Sequence, residues 1–149
     1  MNRSVVCFPW EYLTETTVHL ILPESAGGST MIALDHMSVP CRDKVETAEF
    51  YARVFGLTYN GPRRDFAPLT VNDGLTLNFE NGPLLEDHHY AFRVAAEEFE
   101  AIQERLRVEG VGFGTAPRVV DGAFYDRGGL RGFYFEDPNG HGLEVITPA

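Results

Sequence analysis

The chain has 149 residues, of which 44% are hydrophobic and 23% are charged, a balance that is typical of one globular domain and excludes a disordered or fibrous protein. Its 12 basic and 22 acidic residues give a net charge of −10, which disfavours nucleic acid and anionic membranes as partners because both are negatively charged. No apolar run approaches the roughly 18 residues of a transmembrane helix, and the N-terminus makes a poor signal peptide, so the sequence predicts a cytoplasmic protein.

Residues 1–30 differ from the rest of the chain. The turn-rich stretch Pro23–Thr30 separates them from a strand-like run that begins at Met31. We therefore predict an N-terminal extension over residues 1–30, a candidate mobile segment, and a single domain over residues 31–149. The two cysteines, Cys7 and Cys41, have no metal-site spacing; reduced thiols are the simpler interpretation, and one disulfide is the alternative.

Two similar units follow one another from residue 31. In the first, a strand over Ile32–Val39 precedes a helix over Asp43–Phe55. Asp43 and Glu46 have the spacing of a capping box, and Gly56 follows the helix where a C-terminal glycine cap is expected. Further strands are predicted over Leu57–Tyr59, Ala67–Val71 and Leu75–Glu80.

The second unit repeats this order. A strand over His89–Val94 precedes a helix from about Ala96 to Glu109, which ends at Gly110. Further strands are predicted over Gly112–Pro117, Gly132–Glu136 and Leu143–Thr147. The fold class predicted is α+β: tandem βαβββ modules, residues 31–81 and 88–149, that form a cupped mixed sheet with the helices on its outer face. The loop Arg118–Leu130 is long enough to be either a lid or an ordinary connection.

Alternation along the strands divides their side chains between two faces. One face is apolar and is expected to lie under the helices. The other face carries chemically versatile side chains: His36, Thr76, Asn78, Glu80, His89, Arg93, Tyr134 and Glu144. This second face is either an ordinary solvent-exposed surface or the lining of a cavity, and the residue types favour the cavity.

Two histidines and a glutamate on this face form a candidate metal site. His36 and His89 occupy equivalent places in the two units, and Glu144 lies on the last strand. Two imidazoles and one carboxylate are the ligand set of an open, facially coordinated divalent metal. The remaining histidines are assigned elsewhere: His88 to the helix side of the sheet or to the frayed start of its strand, His141 to an exposed turn and His19 to the extension.

The sequence around these residues resembles the vicinal oxygen chelate superfamily, which includes glyoxalase I, fosfomycin-resistance proteins, bleomycin-resistance proteins and extradiol dioxygenases. The resemblance rests on the terminal signature Tyr134–Glu144, on Leu34–His36 and on His89–Phe92. It covers residues 31–148 and implies the glyoxalase fold, with His36, His89 and Glu144 as the metal ligands.

Within the superfamily, the resemblance is greatest to the small glyoxalase-fold dioxygenases of chartreusin-type aromatic polyketide biosynthesis. The segments Phe66–Pro68, Val71–Leu77 and Gly128–Gly129 carry it. It implies a non-haem Fe(II) site that uses O₂ for oxidative C–C cleavage of a polycyclic phenolic substrate. Tyr134, ten residues before Glu144, then lies beside the metal and hydrogen-bonds an oxygen of the substrate. Whether reduced flavin, as a diffusible cosubstrate, or a separate reductase supplies electrons is left open.

Other branches of the superfamily fit the sequence less well. Glyoxalase I has a further carboxylate ligand where this chain has Thr76, although Glu80 on the same face is a possible substitute. Fosfomycin enzymes surround an anion with basic residues, whereas the one lysine here is Lys44, in the first turn of a helix. Thr76, Asn78 and Arg93 are instead assigned, from strand alternation alone, to substrate binding.

The resemblance also leaves two alternative functions open and predicts a homodimer. The alternatives are a metal-dependent lyase or thiol transferase, and a drug-binding self-resistance protein without turnover. Tandem modules of this superfamily commonly pair across a homodimer, so His36 is expected to meet the His89 and Glu144 of a second copy.

Overall fold

The computed structural model describes residues 33–83 and 86–149. The predicted N-terminal extension, with Cys7 and His19, lies outside the described residues. The elements, in chain order, are β1 (His36–Cys41), α1 (Lys44–Phe55), β2 (Phe66–Asn72), β3 (Leu75–Asn81), β4 (His89–Arg93), α2 (Ala96–Glu109), β5 (Tyr125–Arg127), β6 (Leu130–Glu136) and β7 (Gly142–Pro148). Neither of these helices is long and apolar enough to cross a membrane.

The first module consists of α1 and a sheet in the order β1-β3-β2. The Asp43 carboxylate caps α1 by accepting hydrogen bonds from the backbone N–H groups of Val45 and Glu46. Gly56 ends the helix in the left-handed conformation, at φ 66°. The predicted helix and both of its caps are therefore confirmed, because they depend on residues that are close together in the sequence.

The second module consists of α2 and a sheet in the order β4-β7-β6-β5, in which β4 is parallel to β7. The helix has the predicted bounds, and Gly110 caps its C-terminus at φ 70°. Its N-cap residue, Ala95, offers no side-chain hydrogen bond. The α+β fold with tandem modules is thus confirmed. Within the described residues the strands form two sheets, and β1 and β4 are edge strands of those sheets.

One hydrophobic core lies between the sheets and the two helices. Phe55 on α1 joins the modules, because its ring centroid lies 4.4 Å from that of Phe92 on β4 and 6.2 Å from that of Phe135 on β6. On the surface, the Arg53 guanidinium donates two hydrogen bonds, of 2.8 and 3.0 Å, to the Glu109 carboxylate at the end of α2. Apolar packing, rather than this exposed ion pair, supplies most of the stabilisation between the modules.

Two predicted strands are wrong. Leu57–Tyr59 belongs to neither sheet, because the N–H of Leu57 is already bonded to the Ala52 carbonyl at the end of α1. The segment Gly112–Pro117 makes only an isolated bridge, between Gly114 and Tyr134. Here the chain doubles back closely: a Cβ on Gly114 would lie 2.1 Å from the Val119 carbonyl oxygen. The glycines of this segment therefore serve close packing rather than a strand.

The predicted loop Arg118–Leu130 contains strand β5. Gly128 and Gly129 both have positive φ, 60° and 77°, and make the two-residue turn of a β5–β6 hairpin. The start of the loop is held by Asp121, whose Oδ2 accepts from the Thr115 hydroxyl at 2.7 Å. The segment therefore contains a short strand that the sequence analysis did not predict.

His141 is not exposed, contrary to prediction. Its relative exposure is 1%, and its Nε2 lies 2.8 Å from the carbonyl oxygen of Pro40 on β1. Nδ1 accepts from the His88 backbone N–H at 3.2 Å, so the proton resides on Nε2. We predicted a surface turn for His141 because nothing in the sequence indicates that this turn packs against the other module.

Candidate functional site

The candidate site lies on the face of the second sheet that is turned away from the core. Glu144 on β7 is opposite Ala91 on β4 and Tyr134 on β6. Its neighbours in sequence, Leu143 and Val145, are fully buried on the other face. The predicted alternation is therefore seen in this sheet, and it aims the Glu144 carboxylate away from the core.

His89 and Glu144 form the centre of the site. His89 begins the edge strand β4, and its Nε2 lies 3.0 Å from Oε2 of Glu144. The His89 side chain is 49% exposed, whereas that of Glu144 is 15% exposed. The carboxylate is thus sheltered by its neighbours, while the imidazole borders open space at the edge of the sheet.

Two tyrosines surround the carboxylate. The hydroxyl of Tyr125 on β5 donates to Oε1 of Glu144. The ring of Tyr134 lies 5.4 Å from that of Tyr125 and 5.9 Å from that of His89. Two phenols, an imidazole and a carboxylate therefore converge on one patch of the sheet.

The protonation of these groups follows from their surroundings. Burial raises the pKa of Glu144, but hydrogen bonds from the two phenols and from His89 outweigh it and hold that pKa below the usual value. Burial, reinforced by the neighbouring carboxylate, raises the pKa of both Tyr125 and Tyr134. At neutral pH the site therefore presents one carboxylate and two neutral phenols that are able to donate protons to hydrogen bonds.

The His89–Glu144 pair fits a divalent metal. The two side-chain atoms are 3.0 Å apart, an ordinary hydrogen-bond distance that also leaves them close enough to bind one cation. An imidazole nitrogen with a carboxylate oxygen is also a common donor pair for first-row metals. Among the described residues, the structure gathers no group of three or more such side chains.

His36, the third predicted ligand, lies in the other sheet. Its side chain is 62% exposed, and Nδ1 lies 2.7 Å from the carboxylate of Asp35. In the strand register it is opposite Thr76 on β3. A single chain therefore joins His89 to Glu144 but leaves His36 apart, near the open edge of the first sheet.

The three residues assigned to substrate binding also lie apart from one another. Thr76 and Asn78 are half-buried on β3, on the same face as His36. Arg93 is exposed at the end of β4, on the same face as His89. Glu80, the possible substitute ligand, is on the Thr76 face, near the far end of β3.

An open cavity of about 800 Å³ borders both edge strands. Its wall includes Leu34 and Met37 from the region of β1, and His89 and Arg93 from β4. Apolar residues of the β2–β3 hairpin and of both helices complete it. The volume is within the range of sites that take drug-sized ligands.

Tyr125 is the site residue that sequence reasoning missed. It lay within the predicted loop, so strand alternation was not applied to it. The Gly128–Gly129 dipeptide, which is typical of a tight hairpin, was the available signal. Applied there, it pairs β5 with β6 and places Tyr125 on the face of Glu144.

Comparisons with known proteins identify relatives. The family model of the Glyoxalase/Bleomycin resistance protein/Dioxygenase superfamily matches residues 33–145. The chain is 32% identical over 120 residues to the glutathione transferase FosA of Serratia marcescens, an alignment that covers 76% of this chain and 79% of FosA.

Two solved structures of oxidases are similar over most of the domain. Oxidase ChaP-H2 has a TM-score of 0.74 and 33% identity, over 79% of this chain and 94% of that protein. Oxidase ChaP-H1 has a TM-score of 0.73 and 32% identity, over 80% of this chain and 98% of that protein.

Proposed function

The chain belongs to the Glyoxalase/Bleomycin resistance protein/Dioxygenase superfamily, and we propose that it is a metal-dependent dioxygenase that cleaves or rearranges a polycyclic aromatic substrate. The observation that carries this proposal is the convergence of the His89 imidazole, the Glu144 carboxylate and the neutral phenol of Tyr134 on one face of the sheet. Similarity to the two ChaP oxidases supports the oxidative reaction.

The metal is Fe(II), held by His89 and Glu144 from one chain and by His36. When bound there, such a metal would supply a Lewis-acid charge for a substrate with two neighbouring oxygens, and redox chemistry for O₂. The protein contributes a carboxylate that stays ionised at neutral pH, since its hydrogen bonds lower its pKa. It also holds His89 and Glu144 on the sheet face that is turned away from the core, where a substrate can approach.

His36 comes from a second copy of the chain. In one chain it lies in a different sheet from Glu144, and both β1 and β4 are edge strands with unpaired backbone groups. Pairing of two copies at these edges would cover the strands and complete the ligand set. The functional unit is therefore a homodimer, and metal binding depends on its assembly.

The substrate is a polycyclic phenol. Tyr134 offers a neutral hydroxyl, which donates a hydrogen bond to a phenolic or carbonyl oxygen of the substrate and so fixes its orientation. We assign Arg93, Thr76 and Asn78 to its polar edges; of these three residues, Arg93 lines the open cavity beside β4, together with His89. A planar molecule of three or four fused rings fits a cavity of this size.

The number of oxygen atoms that enter the product shows whether the reaction needs an electron-donating cosubstrate. When both atoms of O₂ enter the product, no external donor is consumed; incorporation of one atom requires two electrons from reduced flavin or a reductase. The predicted cytoplasmic location gives access to both donors. Turnover with and without reduced flavin, measured under ¹⁸O₂, distinguishes the two stoichiometries.

A thiol transferase is the second candidate, since FosA is a glutathione transferase. It predicts consumption of a thiol, activity with Mn(II), Ni(II) or Zn(II), and no uptake of O₂. A drug-binding protein without turnover is the third, and it predicts stoichiometric binding of an aromatic compound that survives a chelator.

The first experiment measures the metal content of anaerobically purified protein by elemental mass spectrometry. Wild type is compared with His89→Ala and, as a matched control, with His88→Ala, which removes an adjacent exposed histidine outside the site. About one iron per chain, lost only in His89→Ala, together with O₂ uptake on polycyclic phenols, supports the proposal. Another metal with thiol turnover favours the transferase, and failure to bind Fe(II) after reconstitution contradicts a metal-dependent reaction.

A further inference from the structure

Tyr125 reaches Glu144 across an intervening strand. It is on β5, and its register partner on β6 is Gly132, which in turn is opposite Ile146 on β7. From there its hydroxyl donates to Oε1 of Glu144. The phenol thus spans the width of β6 to contact a side chain two strands away.

Gly132 makes this path possible. A Cβ on Gly132 would lie 2.3 Å from the Tyr125 hydroxyl oxygen and 2.4 Å from Cζ of its ring, and real Cβ atoms essentially never approach non-bonded atoms so closely. Gly132 lies inside a strand and is not among the described residues with positive φ, so backbone conformation does not require a glycine here. The space left by the absent side chain is occupied by Tyr125.

The ring of Tyr125 also contacts two further side chains, those of Arg127 and Tyr134. The Arg127 guanidinium lies 5.4 Å from its centroid, within the range of a cation–π contact. The Tyr134 ring is 5.4 Å away, at an interplanar angle of 34°. These contacts fix the direction from which the hydroxyl meets Glu144.

The two carboxylate oxygens of Glu144 consequently have different partners. Oε1 accepts from Tyr125, and Oε2 lies 3.0 Å from Nε2 of His89. Only Oε2 shares the region of the candidate metal with the imidazole. Without the phenol, the carboxylate can rotate about its last torsion and present both oxygens together.

We propose that Tyr125 is a positioning residue. Its ring occupies the space left by the missing side chain of Gly132, and its hydroxyl bonds Oε1, so that Glu144 binds the metal through Oε2 alone. The inference rests on the proposed metal site and adds to it the residue that sets how the carboxylate binds. A coordination position that a two-oxygen carboxylate would occupy is thereby kept for the substrate or O₂. Groups that orient metal ligands in this way typically change metal affinity by 10- to 100-fold when they are removed.

The test measures the affinity of the full chain for Mn(II) by calorimetry. Tyr125→Phe removes only the hydroxyl, and Gly132→Ala displaces the ring; each is expected to change the affinity about tenfold. The double variant is expected to have the same affinity as Gly132→Ala, because the hydroxyl is already displaced. Tyr59→Phe is the matched control, since it removes a buried hydroxyl that has no hydrogen-bond partner in the described structure.

A spectroscopic measurement separates positioning from general loosening of the fold. With Co(II) in place of the native metal, visible absorption weakens as coordination number rises. Tyr125→Phe is expected to show weaker Co(II) bands than wild type and Tyr59→Phe, while thermal unfolding confirms that all three are folded. A spectrum identical to wild type would show that the hydroxyl does not determine how Glu144 binds.

The outcomes distinguish this inference from the proposed function. If wild type binds neither Mn(II) nor Co(II), the metal site itself is wrong, and the positioning role is overturned with it. If wild type binds both metals and Tyr125→Phe has the same affinity and spectrum, the metal site stands and only the positioning role is overturned.

Discussion

The Nε2–H of His141 donates to the carbonyl of Pro40 at 2.8 Å, so a turn of the second module is bonded directly to the first strand of the first. The same turn is joined to α1, because Asn139 Nδ2 donates to the Thr47 hydroxyl at 3.0 Å. Asp137 accepts backbone N–H groups from Asn139 and His141 and holds the turn in shape. These buried bonds fix how the modules of one chain pack together.

His141→Ala is expected to destabilise the protein by about 3 kcal/mol, because it leaves the buried Pro40 carbonyl unpaired and opens a cavity. Urea denaturation measures this change, with His88→Ala as the exposed control. Metal content per folded chain is expected to remain at the wild-type level. A loss of metal without a loss of stability would instead assign His141 to the site.

The elements determined by nearby residues were predictable from the sequence. Helix α1 has its cap, Asp43, its apolar face and its terminal Gly56 within 14 consecutive residues. The closeness of His89 and Glu144 was also predictable, since strand alternation and parallel pairing of β4 with β7 bring the two strands together. Such patterns are local or periodic, and a single sequence contains them in full.

The features that were missed depend on contacts between distant residues. The burial of His141 requires a carbonyl acceptor 101 residues earlier in the chain. The place of Tyr125 in the site requires that Gly132, on another strand, has no side chain. The sequence contains these residues but not their pairing, so neither their burial nor their role followed from composition or periodicity.

The N-terminal caps of the two helices allow two opposite tests of stability, because α1 has a side-chain cap and α2 has none. Asp43→Ala removes the hydrogen bonds to the N–H groups of Val45 and Glu46 and is expected to cost about 1 kcal/mol. Ala95→Ser adds a capping hydroxyl to α2, where none is present, and is expected to stabilise by up to about 1 kcal/mol. Shifts in the urea midpoint at constant m-value measure both effects. A stabilising effect of Asp43→Ala would contradict the assigned cap.

Stability is expected to fall at alkaline pH because of Tyr51. Burial, with the nearby Asp137 carboxylate, raises the pKa of Tyr51 well above its usual value of 10.0. The folded state therefore retains a proton that the unfolded state loses, so the stabilisation is complete below about pH 10. It is lost as the pH rises from there toward the folded-state pKa.

Tyr51→Phe tests this dependence. At pH 7 it is expected to cost about 1 kcal/mol, since the hydrogen bond from the hydroxyl to Asp137 is lost. Between pH 9 and about pH 11, its free energy of unfolding is expected to fall less steeply than that of wild type. Urea denaturation at several pH values measures both slopes, and equal slopes would show that Tyr51 does not titrate in this range.

A mixing experiment tests whether the metal site is shared between two copies of the chain. His36→Ala and His89→Ala homodimers are each expected to lack an intact ligand set. In a heterodimer of the two variants, a shared site combines the intact His36 of one chain with the intact His89 and Glu144 of the other. The second site in that heterodimer lacks both histidines.

Co-unfolding and refolding the two variants in equal amounts is therefore expected to restore high-affinity metal binding, at about one quarter of the wild-type capacity, because half of the dimers are mixed and each has one intact site. Each variant refolded alone is the control. A site formed within one chain predicts no recovery, since every chain in the mixture lacks one histidine. Gel filtration before and after mixing establishes the dimer on which this result depends, and a monomer that binds metal would contradict the shared site.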